Sequence, residues 1–210
     1  MKISKRLLFN SATLLNYLKT VKKFSKIDEE ILATVTYKYA YQKLKNNDVL
    51  IGFPYNESKE IELNRQPLLL TAEKIGEFIK KYAEENSPID SIIVDPINQR
   101  ESKIRPLQIK FLGKGKWNGI TTEKFIEFLK QKSLYEKNKI TLLISLQGAF
   151  NINLKKIVIW LNNNNFPFEE VVLIRPNGTT GDMEFYQLKP TESQNPRRLL
   201  INKKEMLRER

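Results

Sequence analysis

The chain has 210 residues, with 36 Lys+Arg against 24 Asp+Glu for a formal net charge of +12. It contains no histidine and no cysteine, which excludes Ser-His-Asp triads, histidine bases, thiol nucleophiles, disulfides and the usual structural zinc sites. If it is an enzyme, its tools are carboxylates, lysines and a hard metal ion.

Ser11 to Phe24 reads as a short basic amphipathic helix. Asp28, Glu29 and Glu30 then open a second helix to about Lys45, because acids favour a first helical turn. Asn46 and Asn47 end it. Asp48 to Leu70 suits one or two strands around a turn at Pro54-Tyr55-Asn56. Thr71 to Glu85 places Ile75, Phe78, Ile79 and Tyr82 on one helical face, with Glu73, Glu77 and Glu84 on the solvent side.

Ser87 to Gly115 then reads as two short apolar strands joined by a polar turn. Asp90 opens the first strand, and Gln108-Ile109-Lys110 lies in the second. Side chains alternate along a strand, so Gln108 and Lys110 share a face. A turn centred near residues 99–102 sets Asp90 opposite Lys110 and Ile92 opposite Gln108. Asp95 then falls near Arg105, roughly 16 Å from Asp90 at the ordinary strand rise. Asp90 is the first choice for a metal-binding acid, with Asp95 in reserve.

Thr121 or Thr122 can cap a helix through about Leu134, with Phe125, Phe128 and Leu129 on its apolar stripe. Ile140 to Leu146 is a continuous apolar run suited to a buried strand. A helix over Leu154 to Asn162 and strands over Glu170 to Ile174 and Met183 to Leu188 follow. Alternating helices and strands predict an α/β layer fold.

Pro88-Ile89-Asp90 followed by Gln108-Ile109-Lys110 resembles the paired motif of the PD-(D/E)xK nuclease superfamily, with the Gln-x-Lys variant of Mrr-like restriction enzymes. The likeness covers Thr71 to Leu146, where helix, hairpin, helix and buried strand match the superfamily's core order. An extra Ile separates Pro from Asp, and Gln replaces the usual acid. The resemblance implies a restriction-endonuclease-like α/β fold, a mixed sheet flanked by helices, with an N-terminal helical extension. It implies Mg2+ (or Mn2+) held by Asp90, Gln108 and the Ile109 carbonyl. Catalysis then falls to Asp90, Gln108 and Lys110, and the expected activity is that of a DNA endonuclease-like phosphodiesterase. The alternative is a catalytically degenerate member of the same fold that binds nucleic acid or a protein.

Basic clusters suit a polyanionic partner, DNA before RNA. Residues 102–122 carry Lys103, Arg105, Lys110, Lys114 and Lys116 and no acid. Lys103, Arg105, Lys114 and Lys116 are the expected nucleic-acid contacts. Residues 1–47 form a basic helical extension, either gripping DNA, joining two copies of the chain as a homodimer, or packed on the core as a layer. Residues 48–190 are the nuclease-like core and 191–210 a basic tail. Pro167, Glu169, Gln187 and Lys189 echo Pro88, Asp90, Gln108 and Lys110 at constant offset, which makes Glu169 with Gln187 and Lys189 a rival set. No apolar run approaches the ~18 residues of a membrane span, so no membrane partner is expected. A chain without cysteine fits a cytoplasmic setting.

Overall fold

The computed structural model describes residues 8–9, 14–15, 18–19, 21–23, 25–46, 49–52, 89–96, 102–113, 119–133, 140–148, 150–191 and 193–206. The expected turn at Pro54 and the helix over Thr71 to Glu85 lie outside them. The chain divides into two compact units, residues 1–108 with 203–210, and residues 109–202.

In the first unit, helix α1 (Lys26–Lys45) begins at a capping box. The Ser25 hydroxyl accepts from the Asp28 N–H at 3.3 Å, and Asp28 accepts from the Ser25 N–H at 2.7 Å. It ends at Asn46, whose left-handed backbone (φ 56°) donates to the Gln42 carbonyl at 2.7 Å. Between these caps, residues 33–41 are buried on every side of the helix. Such a helix belongs to a core, so residues 26–45 are a packed layer rather than a projecting arm.

The strands of this unit follow the order β1 (Leu8–Phe9), β2 (Leu50–Gly52), β3 (Ser91–Pro96) and β4 (Ser102–Leu112), antiparallel throughout. One face of β3 meets α1. The Ser91 and Thr34 hydroxyls bond at 2.9 Å, and Thr34 also donates to the Glu30 carbonyl at 2.8 Å. Two helical turns on, the Tyr41 hydroxyl donates to Asp95 at 2.7 Å and accepts from Arg105 Nε at 3.0 Å. The Arg105 guanidinium also lies 5.0 Å from the Tyr41 ring centre. The C-terminal helix α4 (Lys203–Met206) returns to this unit, where Glu205 accepts from Lys43 at 2.9 Å.

Burial, followed by the hydrogen bond to Asp95, pushes the Tyr41 phenol up to about 12, with Arg105 acting the other way. The folded state therefore holds this proton more tightly than the unfolded chain. Its contribution to stability is complete below the ordinary tyrosine value and is lost as pH rises towards about 12. Tyr41→Phe is expected to cost about 1–3 kcal/mol near neutral pH, since buried Asp95 loses a donor. Urea unfolding at neutral pH and at pH ~11 would check both statements: the gap between wild type and variant should shrink in alkali.

The second unit takes up the end of β4 and continues in the order β4, β6 (Thr141–Leu146), β8 (Glu170–Pro176), β9 (Met183–Lys189), β10 (Arg197–Ile201). Strands β6 and β8 are parallel, while β9 is antiparallel to both β8 and β10. The sheet is thus mixed and the fold class α/β, as expected. Every residue of β6 is buried, which matches its unbroken apolar sequence. A second, two-stranded sheet pairs β5 (Ile120–Thr121) with β7 (Phe150–Asn151).

Helix α2 (Thr122–Ser133) starts after Thr121, whose hydroxyl accepts from the Lys124 N–H at 3.4 Å, and it buries Phe125, Phe128 and Leu129. Helix α3 (Leu154–Asn163) is capped by Asn153 and buries Ile157, Val158 and Leu161. Both helices fall where the apolar spacing places them. Residues 197–201 and 203–206, expected in a basic tail, form β10 and α4 instead. Among the described residues no helix is long and apolar enough to cross a membrane.

Candidate functional site

The β3–β4 hairpin forms where the sequence places it, but its register lies two residues from the expected one. Ile92 faces Pro106 rather than Gln108, and Asp95 faces Lys103. A shift of two preserves which face each strand residue occupies. It nevertheless removes the expected pairing of Asp90 with Lys110. The ladder ends at Ser91 opposite Leu107. The Asp90 N–H also donates to the Leu107 carbonyl, at 2.9 Å. Asp90 lies just outside β3, where the regular ladder has ended. Strict alternation therefore no longer fixes where the Asp90 side chain points.

The same bond ties the Asp90 backbone to the residue just before Gln108. Gln108 is buried at 4% exposure. Its Oε1 has no hydrogen-bond partner among the described residues. Gln42 and Gln147 bury a side-chain oxygen in the same state; an unmet buried acceptor costs about 1–3 kcal/mol, which a cation or a water beside it can offset. Asp90 and Lys110 are half-buried. Gln108 closes the first unit, while Ile109 and Lys110 open the second along the same strand.

A hard cation of the Mg2+ type keeps several waters and takes one or two carboxylates with further oxygen donors. One acid, Asp90, and the unsatisfied amide oxygen of Gln108 fit that habit. Among the described residues no three His, Cys, Asp or Glu are grouped so as to hold a metal ion.

Asp95 and Arg105 have other employment. Asp95 is buried and accepts from Tyr41. Arg105, expected to contact nucleic acid, donates to the same phenol. The Lys103 side chain, Lys114 and Lys116 lie outside the described residues.

The rival set does not assemble as the echo suggests. The Gln187 amide donates to Glu170 at 2.8 Å, and Thr141 donates to the same acid at 3.3 Å. Glu169 is exposed. Lys189 donates to the Phe166 carbonyl at 2.5 Å, and burial lowers its pKa. The pairing of β8 with β9 shifts between Val171 and Val172, which upsets the phase on which the echo depends.

No family model, curated protein or solved structure matches the chain.

A polar cluster that the sequence reading missed lies on β8, β9 and β10. Buried Glu184 accepts from Arg175, from Arg198 at 2.7 Å, from the Tyr186 hydroxyl at 3.0 Å and from Asn177 at 3.3 Å. Burial pushes the Glu184 carboxyl up, but these donors outweigh it and hold the group below the usual carboxylate range. The Arg175 guanidinium also lies 4.7 Å from the Phe150 ring centre and 5.3 Å from that of Tyr186. The available signal was an acid set within the apolar strand MEFYQLK, with arginines on the strands either side. An acid satisfied by this many donors is structural.

Proposed function

We propose that the chain is a metal-dependent nucleic-acid phosphodiesterase of the PD-(D/E)xK type, acting on DNA in preference to RNA. The observation that carries this reading is the junction of β3 and β4. There the Asp90 N–H is tied to the carbonyl of the residue preceding Gln108, whose buried amide oxygen has no partner among the described residues. The chain order of hairpin, helix α2 and buried strand β6 supports it.

Asp90 and Gln108 would hold the cation, with the Ile109 carbonyl as a further oxygen. Mg2+ or Mn2+, when bound, supplies Lewis-acid polarisation of the phosphate and a more acidic water. Lys110, two residues after Gln108, would offset charge that develops on the phosphate oxygens. The net charge of +12 favours a polyanionic substrate.

A second reading is a catalytically degenerate member of the same fold that binds nucleic acid. It is favoured by the single carboxylate offered at this junction among the described residues.

Incubation of the protein with supercoiled plasmid and with RNA, in Mg2+, Mn2+ or EDTA, tests the proposal alongside gel shifts over a salt series. The expected result is duplex retention that weakens steeply with salt, because counterion release dominates phosphate contacts. Nicking is expected only with metal. Retention without nicking would transfer the conclusion to the binding module. No retention even at low salt would remove nucleic acid altogether.

A further inference from the structure

The second unit has an open surface pocket of about 500 Å3 at the C-terminal end of α3. Its walls are Leu161, the asparagine run 162–165, Lys189, Pro190 and Thr191. None of these residues is acidic. The lysine amine carries three donors. Among the described residues its hydrogen-bond partner is the Phe166 carbonyl, and it lies 6.0 Å from the Phe166 ring centre; neither is a counter-charge. An anion that enters beside it can form a charge-assisted hydrogen bond with the ammonium, against the negative end of the α3 dipole.

Size and lining narrow the class of ligand. The volume lies within the range of small-organic-ligand pockets and far exceeds what a bare inorganic ion fills. Primary amides both donate and accept, so the asparagine run can match the edge of a planar heterocycle. The exposed Pro190 ring supplies apolar surface for its face.

We propose that this pocket binds a phosphorylated small molecule of nucleoside-monophosphate size, with the phosphate on Lys189 and the heterocycle against the asparagine run. Neither Asp90 nor Gln108 lines the site, and it needs no metal. It would give the protein a means of sensing free nucleotide. The burial that lowers the pKa of Lys189 agrees with a cation short of a partner.

The test is calorimetric titration of the full chain in EDTA with AMP, CMP, inorganic phosphate and adenosine. A nucleoside monophosphate should bind saturably, inorganic phosphate should compete with it, and adenosine should bind at least about tenfold more weakly, a difference of ~1.4 kcal/mol. Lys189→Ala should lose at least about tenfold in affinity, and Lys189→Arg should recover part of it. If Lys189→Ala does not fold by circular dichroism, Asn165→Asp serves instead, since an acid in the wall should repel the phosphate. The proposal fails if no monophosphate binds at millimolar concentration, if adenosine binds as tightly as AMP, or if a folded variant binds like wild type. Asp90→Ala should bind AMP normally, so failure here is distinguishable from failure of the cleavage reading.

Discussion

Asp90→Ala should abolish metal-dependent nicking, by at least about a hundredfold in rate, while duplex DNA is retained as well as before or better. The variant removes a carboxylate from the proposed cation site and a negative charge from the path of the phosphate backbone. Lys110→Ala should also suppress cleavage, with slightly weaker retention. Gln108 gives the sharper comparison. Its amide oxygen is buried without a partner, so Gln108→Met removes an unmet acceptor with little change of shape. Cleavage should fall, yet unfolding free energy should drop by no more than about 1 kcal/mol. A rate assay on plasmid with parallel urea titrations reads both quantities. If Asp90→Ala nicks at the wild-type rate, the assignment to the β3–β4 junction is wrong.

Gly113→Ala should prevent folding of the second unit. Gly113 has φ of 105°, a region costly for residues with a side chain, and a Cβ there would lie 1.4 Å from the Gln147 carbonyl oxygen. The clash is with backbone, so no rotamer can relieve it. That backbone is anchored, since the Gln147 N–H donates to the Leu112 carbonyl at 2.7 Å. The expected cost exceeds about 4 kcal/mol, the range reserved for gross strain. Gly119→Ala is the control. Gly119 also has positive φ, 63°, but nothing lies within 4 Å of its Cβ position. It should lose only about 1–2 kcal/mol. Soluble yield and urea midpoints would separate the two; equal behaviour would show that the close approach at Gly113 is not a constraint.

Much of the fold was legible because its signals are local. The capping residues of α1, the stripe of Phe125, Phe128 and Leu129, and the run through Leu146 each specify an element without reference to distant chain. Register was less legible. The polar turn of the β3–β4 hairpin fixes its centre only loosely, and the pairing settled two residues away. The end of the ladder at Ser91 left no local mark, because it is set by how β3 meets Leu107. Arg105 shows the same difficulty. A basic residue in an acid-free stretch reads as a phosphate contact, until a helix from elsewhere in the sequence brings Tyr41 to meet it. The strand at Arg197–Ile201 was hidden by its own charge, since two consecutive arginines after Pro196 read as solvated tail.

Those two arginines have a consequence for how the protein behaves in a crowded solution. Strand β10 is the last in the described strand order, and a terminal strand offers its backbone as a template for other chains. Consecutive residues in a strand project to opposite faces, so Arg197 and Arg198 set one cation above the sheet and one below it. A second molecule approaching that edge would have to seat its own copy of the pair against them. Arg198 is already paired with Glu184, so the repulsion falls on the face of Arg197, and it acts beside Leu199 and the exposed Leu200, which would otherwise invite stacking into fibres.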